Sequence, residues 1–180
     1  MIILDLGKHR RARVWVGELP AIASVTDRVL STSIEVEGQG LTASRIAAVE
    51  VVVPLGPRAM YGLLGGRINP ASGRLLSVEV ATSISNGQLL FDTLALPGEE
   101  VKSGLPAEFG PAIISAVALA RQEMPNLPPG RITIECAAHG SVSSSYRMFQ
   151  RLTQILLRIL TSGRELTDEV LFGFFPEAYF

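Results

Sequence analysis

The hydrophobic period of this chain changes once, and that change limits the folds open to it. Before Gly104 the apolar residues alternate or run continuously. After it they recur at helical spacing on either side of one more strand. Leu30, Thr32, Ile34 and Val36 alternate with Ser31, Ser33, Glu35 and Glu37, the two-residue period of a half-buried strand. Residues 11–16 read as an earlier strand closed by Gly17-Glu18-Leu19-Pro20, and residues 46–53 as a continuous aliphatic strand stopped by Pro54-Leu55-Gly56-Pro57. Residues 62–74, rich in Gly, Pro, Asn and Ser, read as a surface loop. Leu76, Val78 and Val80 form one face of a strand, and residues 88–96 its antiparallel partner across Ser85-Asn86-Gly87. Residues 97–103 read as an acidic loop.

Beyond Gly104 the pattern is helix, strand, helix. Pro106 suits a helix start, where its missing N–H costs nothing, and Phe109, Ile113, Val117 and Ala120 share one helical face. Residues 131–138 form a strand. One of Ser143, Ser144 and Ser145 caps a second helix with the apolar stripe Phe149, Leu152, Leu156 and Ile159, ended at Gly163. The class is α+β: a mainly antiparallel sheet covered by two helices.

The chain has 180 residues, 47% apolar and 18% charged, enough for one domain with a proper core. A net charge of −1 gives no global field towards nucleic acid or membrane. Of sixteen basic residues only Lys8 and Lys102 are lysine, a skew that serves phosphate recognition and coding bias alike. A single cysteine, Cys136, fits a reducing compartment. The first eleven residues have the wrong order and length for a secretory signal, and no run is long enough to span a membrane, so a cytoplasmic protein without a membrane partner is expected.

Two segments carry a family resemblance. Gly104-Leu105-Pro106-Ala107-Glu108-Phe109-Gly110-Pro111-Ala112-Ile113, then Leu127-Pro128-Pro129-Gly130, a strand, and Ser143-Ser144-Ser145-Tyr146-Arg147-Met148-Phe149 resemble domain IV of elongation factor G. Gly65-Gly66 stands where that family has its Gly-Gly tip loop. The resemblance covers residues 46–163 and implies the βαβ topology of the second domain of ribosomal protein S5, with its left-handed crossover. Extra N-terminal strands in residues 1–45 would pack on the same domain, and residues 164–180 form an aromatic tail. At the tips the chain departs from the family: residues 67–71 are inserted, Ser143 replaces the Asp of Asp-Ser-Ser, and Gly140 stands where the family has His. No Gly-x4-Gly-Lys-[Ser/Thr] occurs, so GTP hydrolysis within these residues is not expected.

The resemblance implies contact with RNA or the ribosome through the tip loops. Gly65, Gly66, Arg67 and Arg74 in one loop and His139, Ser143, Ser144 and Ser145 in the other are expected at one end of the sheet, the latter at a helix start suited to an anion. Arg147, Arg151, Gln154 and Arg158 fall on one stripe of the second helix, opposite its apolar face, and could lie along an RNA backbone or be merely solvated. The basic run from Lys8 to Arg13 has one aromatic nearby, Trp15. Strand alternation points Cys136 and His139 to opposite faces, and only His9 and His139 are histidine, so no metal or cofactor is expected. Glu99 and Glu100 read as solvated.

Phe172, Phe174, Phe175, Tyr179 and Phe180 must bury themselves on their own sheet or on another chain. Three functional readings follow: a non-enzymatic RNA- or ribosome-binding domain, a protein-interaction or self-assembling module, and a phosphate or nucleotide site at the serine turn. No catalytic Asp or Lys can be assigned opposite that turn.

Overall fold

The computed structural model describes residues 1–23, 25–84 and 87–176. Among them nine strands form one sheet: β1 (Ile2–Asp5), β2 (Arg11–Val16), β3 (Arg28–Glu35), β4 (Arg45–Leu55), β5 (Arg58–Pro70), β6 (Leu75–Thr82), β7 (Leu89–Leu90), β8 (Val101–Ser103) and β9 (Gly130–Gly140). The order across the sheet is β1-β2-β4-β5-β9-β6-β3. Every neighbouring pair is antiparallel except β6 and β9. Where β6 ends, β8 takes its place beside the end of β9, with β7 outside it. Residues 1–45 thus supply strands to both sides of the sheet, β1 and β2 at one and β3 at the other.

Two helices, α1 (Gly110–Glu123) and α2 (Tyr146–Thr161), cover one face. Pro111 stands in the first turn of α1, after a 3-10 turn at Ala107–Phe109. Ser145 caps α2, its hydroxyl accepting from the Met148 amide at 3.2 Å. Phe149, Leu152, Leu156 and Ile159 are fully buried on the sheet, each contributing on the order of 1.5–3 kcal/mol. At the other end of α2, the Arg45 guanidinium donates to the Ser162 carbonyl, a cation where the helix dipole favours one. A short third helix, α3 (Asp168–Phe172), packs against β1.

Two expectations are corrected. Residues 62–74 are not a surface loop: all but the last few lie in β5, the strand between β4 and β9. Its glycines answer close approach rather than a turn. A Cβ on Gly62 would stand 2.7 Å from Leu152 Cδ1, one on Gly65 2.7 Å from Ala48 Cβ, and one on Gly66 inside the Thr133 carbonyl oxygen. Residues 88–96 do not pair with β6, whose neighbours are β3 and β9. The Ser85-Asn86 turn lies outside the described residues.

The face without helices is crossed by two segments. Leu19 and Ile22, between β2 and β3, and Leu90 of β7 with Leu94, Ala95 and Leu96 after it, pack on Trp15, Ala48, Val52, Tyr61, Leu63 and Cys136. A bulge at Glu135 in β9 alters the strand phase. Ile132 and Ile134 join the helix-covered core, whereas Cys136 and Ala138 join the opposite cluster, and the four do not share a face.

Candidate functional site

The serine turn does not offer an empty anion cradle. Its amides already meet a carboxylate: Glu99 Oε1 accepts from Val142 N at 2.9 Å and from Ser143 N at 3.3 Å. Glu99 is therefore no solvated bystander but the carboxylate that holds the turn leading into α2. The Ser144 hydroxyl accepts from Gly140 N at 2.9 Å and donates to the Tyr61 carbonyl at 2.8 Å, tying the turn to β5. Ser143 is buried beneath. His139 Nδ1 lies 3.0 Å from the Gly104 carbonyl, which fixes the proton on Nδ1, and burial pushes the imidazole pKa down.

The two loops expected together are at opposite ends of the sheet. Pro70, at the end of β5, pairs with Gly130, whereas the serine turn follows Gly140 at the other end of β9. Gly65 and Gly66 lie within β5, and Arg74 is exposed at the β5–β6 turn, far from Ser144. Arg67 pairs with Glu135 at 2.6 Å across the strands.

The arginine stripe of α2 is likewise corrected. Arg147 is exposed, but Arg151 is only 8% exposed and Gln154 equally buried. Gln154 Nε2 donates to Glu123 Oε1 at 3.2 Å, and Arg158 lies 3.6 Å from Glu123 Oε2. The stripe flanks α1 instead of standing open to solvent. In the basic run, Arg10 is buried and its guanidinium donates to the carbonyls of Leu6 and Gly7. Of the aromatic tail, Phe175 is buried in the helix-side core, Phe174 packs against it and Phe172 is 51% exposed. Tyr179 and Phe180 lie outside the described residues.

One constellation escaped the sequence reading. Arg13 on β2 and Glu50 on β4 are register partners on the face without helices, and Glu50 is 1% exposed. Glu50 Oε1 accepts from the Tyr61 hydroxyl and from Leu94 N, both at 2.8 Å. Arg13 Nε lies 3.5 Å from Oε2, and its Nη1 reaches Asp92 Oδ1 at 3.0 Å. Burial raises the Glu50 pKa above its ordinary 4.5, against the lowering effect of Leu94 N–H, Tyr61 and Arg13. Tyr61 is raised too, by burial and then by the Glu50 charge beside it. The group pins the segment after β7 to the sheet. The signal was a lone acid, Glu50, within the aliphatic run of β4.

A groove of about 760 Å³ lies where α1, α2 and α3 end, with Met124, Leu127, Val170 and Phe174 beside Arg158, Arg164 and Glu169. Its charges are of both signs, and Arg158 already faces Glu123, so it presents no anion-selective wall. Among the described residues no group of three or more His, Cys, Asp or Glu could hold a metal ion, and no helix is long and apolar enough to cross a membrane.

One edge of the sheet is left unpaired among the described residues. β3 ends the sheet, and among the described residues only β6 pairs with it. Val36 N donates to the Arg74 carbonyl, so by the antiparallel alternation the even residues of β3 bond to β6. The N–H and C=O groups of Val29, Ser31, Ser33 and Glu35 then point outwards. Between Arg28 and Glu35 there is no charge, no proline and no bulge, the devices that usually protect an edge. The opposite edge, β1, is four residues long and runs into Gly7-Lys8-His9. No family model, no curated protein and no solved structure matches the chain.

Proposed function

We propose that this chain is a non-catalytic interaction module that takes an extended protein segment onto the free edge of β3. Its fold is then a variant of the S5 second-domain plan, resembling domain IV of elongation factor G. The succession of α1, β9 and a serine-capped α2 over one sheet face supports that resemblance. One observation carries the functional reading: an eight-residue edge strand with uncharged interior residues and outward backbone groups. Edge addition draws affinity from main-chain hydrogen bonds and selectivity from alternate side chains. The RNA reading loses its support because the tip loops stand at opposite poles and the stripe on α2 meets Glu123.

The test is selection of nine-residue displayed peptides on the immobilised chain, repeated with Ser33→Pro. Proline at an outward position removes one outward donor while leaving the bonds to β6. Enriched peptides of alternating, β-branched character that lose binding to Ser33→Pro are expected. Peptides that bind the proline variant equally well refute edge pairing, as does an empty selection. Salt-sensitive binding of a mixed-sequence RNA at low ionic strength would favour the rival reading.

A further inference from the structure

We infer that the segment β3 accepts is β3 of a second copy of this chain, antiparallel, with Thr32 opposite the partner's Thr32. This rests on the edge-pairing reading above. A twofold axis normal to the sheet joins two such edges into one continuous sheet and keeps both helical layers on the same side. Residues directly opposite in an antiparallel pair share a face. Odd residues of β3 must therefore meet odd residues, and even must meet even. The outward-bonding residues Val29, Ser31, Ser33 and Glu35 are all odd, so they can bond one another under that symmetry.

Two registers use nearly the whole strand. Centred on Ser31, Arg28 lies against the partner's Ile34 and Leu30 against the partner's Thr32; Asp27 meets a partner acid in either register, Glu35 here and Glu37 in the other, so that contact does not choose between them. Centred on Thr32, Leu30 faces the partner's Ile34 twice, Ser31 faces the partner's Ser33 twice, and Thr32 faces itself. Those are apolar and hydroxyl pairs of the kind that stabilise neighbouring strands. Leu30 and Ile34 are half-buried residues packed at the margin of the helix-side core, and this register covers the part they leave exposed. Of the two, the Thr32 register is the one that sets apolar Leu30 against apolar Ile34, with Val29 facing the partner's Glu35 at its ends.

Cysteine placement tests it, because the only native thiol, Cys136, is buried. In the proposed register Thr32 forms a non-hydrogen-bonded pair with its symmetry mate. Cα atoms there lie about 4.5 Å apart, within disulfide range, so Thr32→Cys should cross-link about tenfold faster than Ser31→Cys under mild oxidation. Sedimentation equilibrium of the unmodified chain should give a mass that doubles with concentration and is insensitive to salt, and Ser33→Pro should hold it at the monomer. Faster cross-linking of Ser31→Cys overturns the register. A chain that is monomeric at every concentration reached overturns self-pairing. If that monomer still captures displayed peptides through its edge, only the identity of the partner is refuted and the edge reading stands.

Discussion

Glu50 gives the sharpest test of how the face without helices is held. Replacing it with alanine leaves the Tyr61 hydroxyl and the Leu94 N–H without their acceptor and removes one of the two carboxylates facing Arg13. Two buried donors without partners cost ~1–3 kcal/mol each. Removing one partner of a buried charge pair typically costs ~3–5 kcal/mol. These costs overlap, and Asp92 still faces Arg13, so Glu50→Ala is expected to lose about 4 kcal/mol, which for a chain of this length lowers Tm by about 8–16 °C. Glu50→Gln keeps an oxygen for both donors and sheds the desolvation penalty, so its cost should stay within ~1 kcal/mol at neutral pH. Urea unfolding of both variants reads these values. Because burial raises the carboxyl pKa above 4.5, the folded chain holds that proton more tightly than the unfolded chain does. The stability linked to Glu50 is thus full below pH 4.5 and falls as pH rises through the raised value. Glu50→Gln removes that slope, so the stability difference between wild type and variant must change with pH in this window and flatten below it. A Glu50→Ala cost under ~1 kcal/mol would refute the claim that this carboxylate anchors the segment after β7.

Three further outcomes follow from the packing. Glu99→Ala should cost ~1 kcal/mol by freeing the Val142 and Ser143 amides, and millimolar sulfate should raise the Tm of the variant but not of wild type. Gly66→Ala should cost ~3 kcal/mol or more in urea unfolding, since its methyl would collide with the Thr133 carbonyl, whereas Gly73→Ala in the β5–β6 turn should cost about a third of that. The Cys136 thiol, pushed up to about 12 by burial and then by the nearby Glu135, should react with a disulfide reagent at pH 8 about a hundredfold more slowly folded than in urea.

The sequence made β3, β6 and β9 readable by apolar residues at every second position, β4 by a continuous aliphatic run, and α1 and α2 by a period of 3.6; the bulge in β9 left no mark on that alternation. β5 was hidden by its own packing. Gly62, Gly65 and Gly66 look like loop residues, but they are small because α2, β4 and β9 approach them closely. That single misreading moved the candidate site. With residues 62–74 as a loop, the glycines and the serine turn share one pole; with β5 thirteen residues long, the next turn falls at the other. The arginine stripe failed for a different reason. A helical projection gives the angles of Arg147, Arg151 and Arg158 but not the neighbour on that flank, and α1 with Glu123 fills it. Glu99 stands forty-three residues from Val142, too far apart along the chain for local pattern to join them.

The internal pairing of charge also bears on how this molecule can recognise anything. Arg13 faces Glu50 and Asp92, Arg67 faces Glu135, Arg131 faces Glu79 at 2.5 Å, and Arg158 faces Glu123. Each such arginine is held by a carboxylate of the same chain, and the serine turn that precedes α2 already holds Glu99. A phosphate backbone binding here would have to displace those carboxylates, giving up short-range pairs in exchange for similar ones. An extended strand added to β3 displaces nothing but water. Its hydrogen bonds form with groups that have no competing partner among the described residues, so the edge offers a net gain where these paired arginines offer an exchange. Recognition by this chain should accordingly depend weakly on ionic strength and strongly on a single backbone N–H at Ser33.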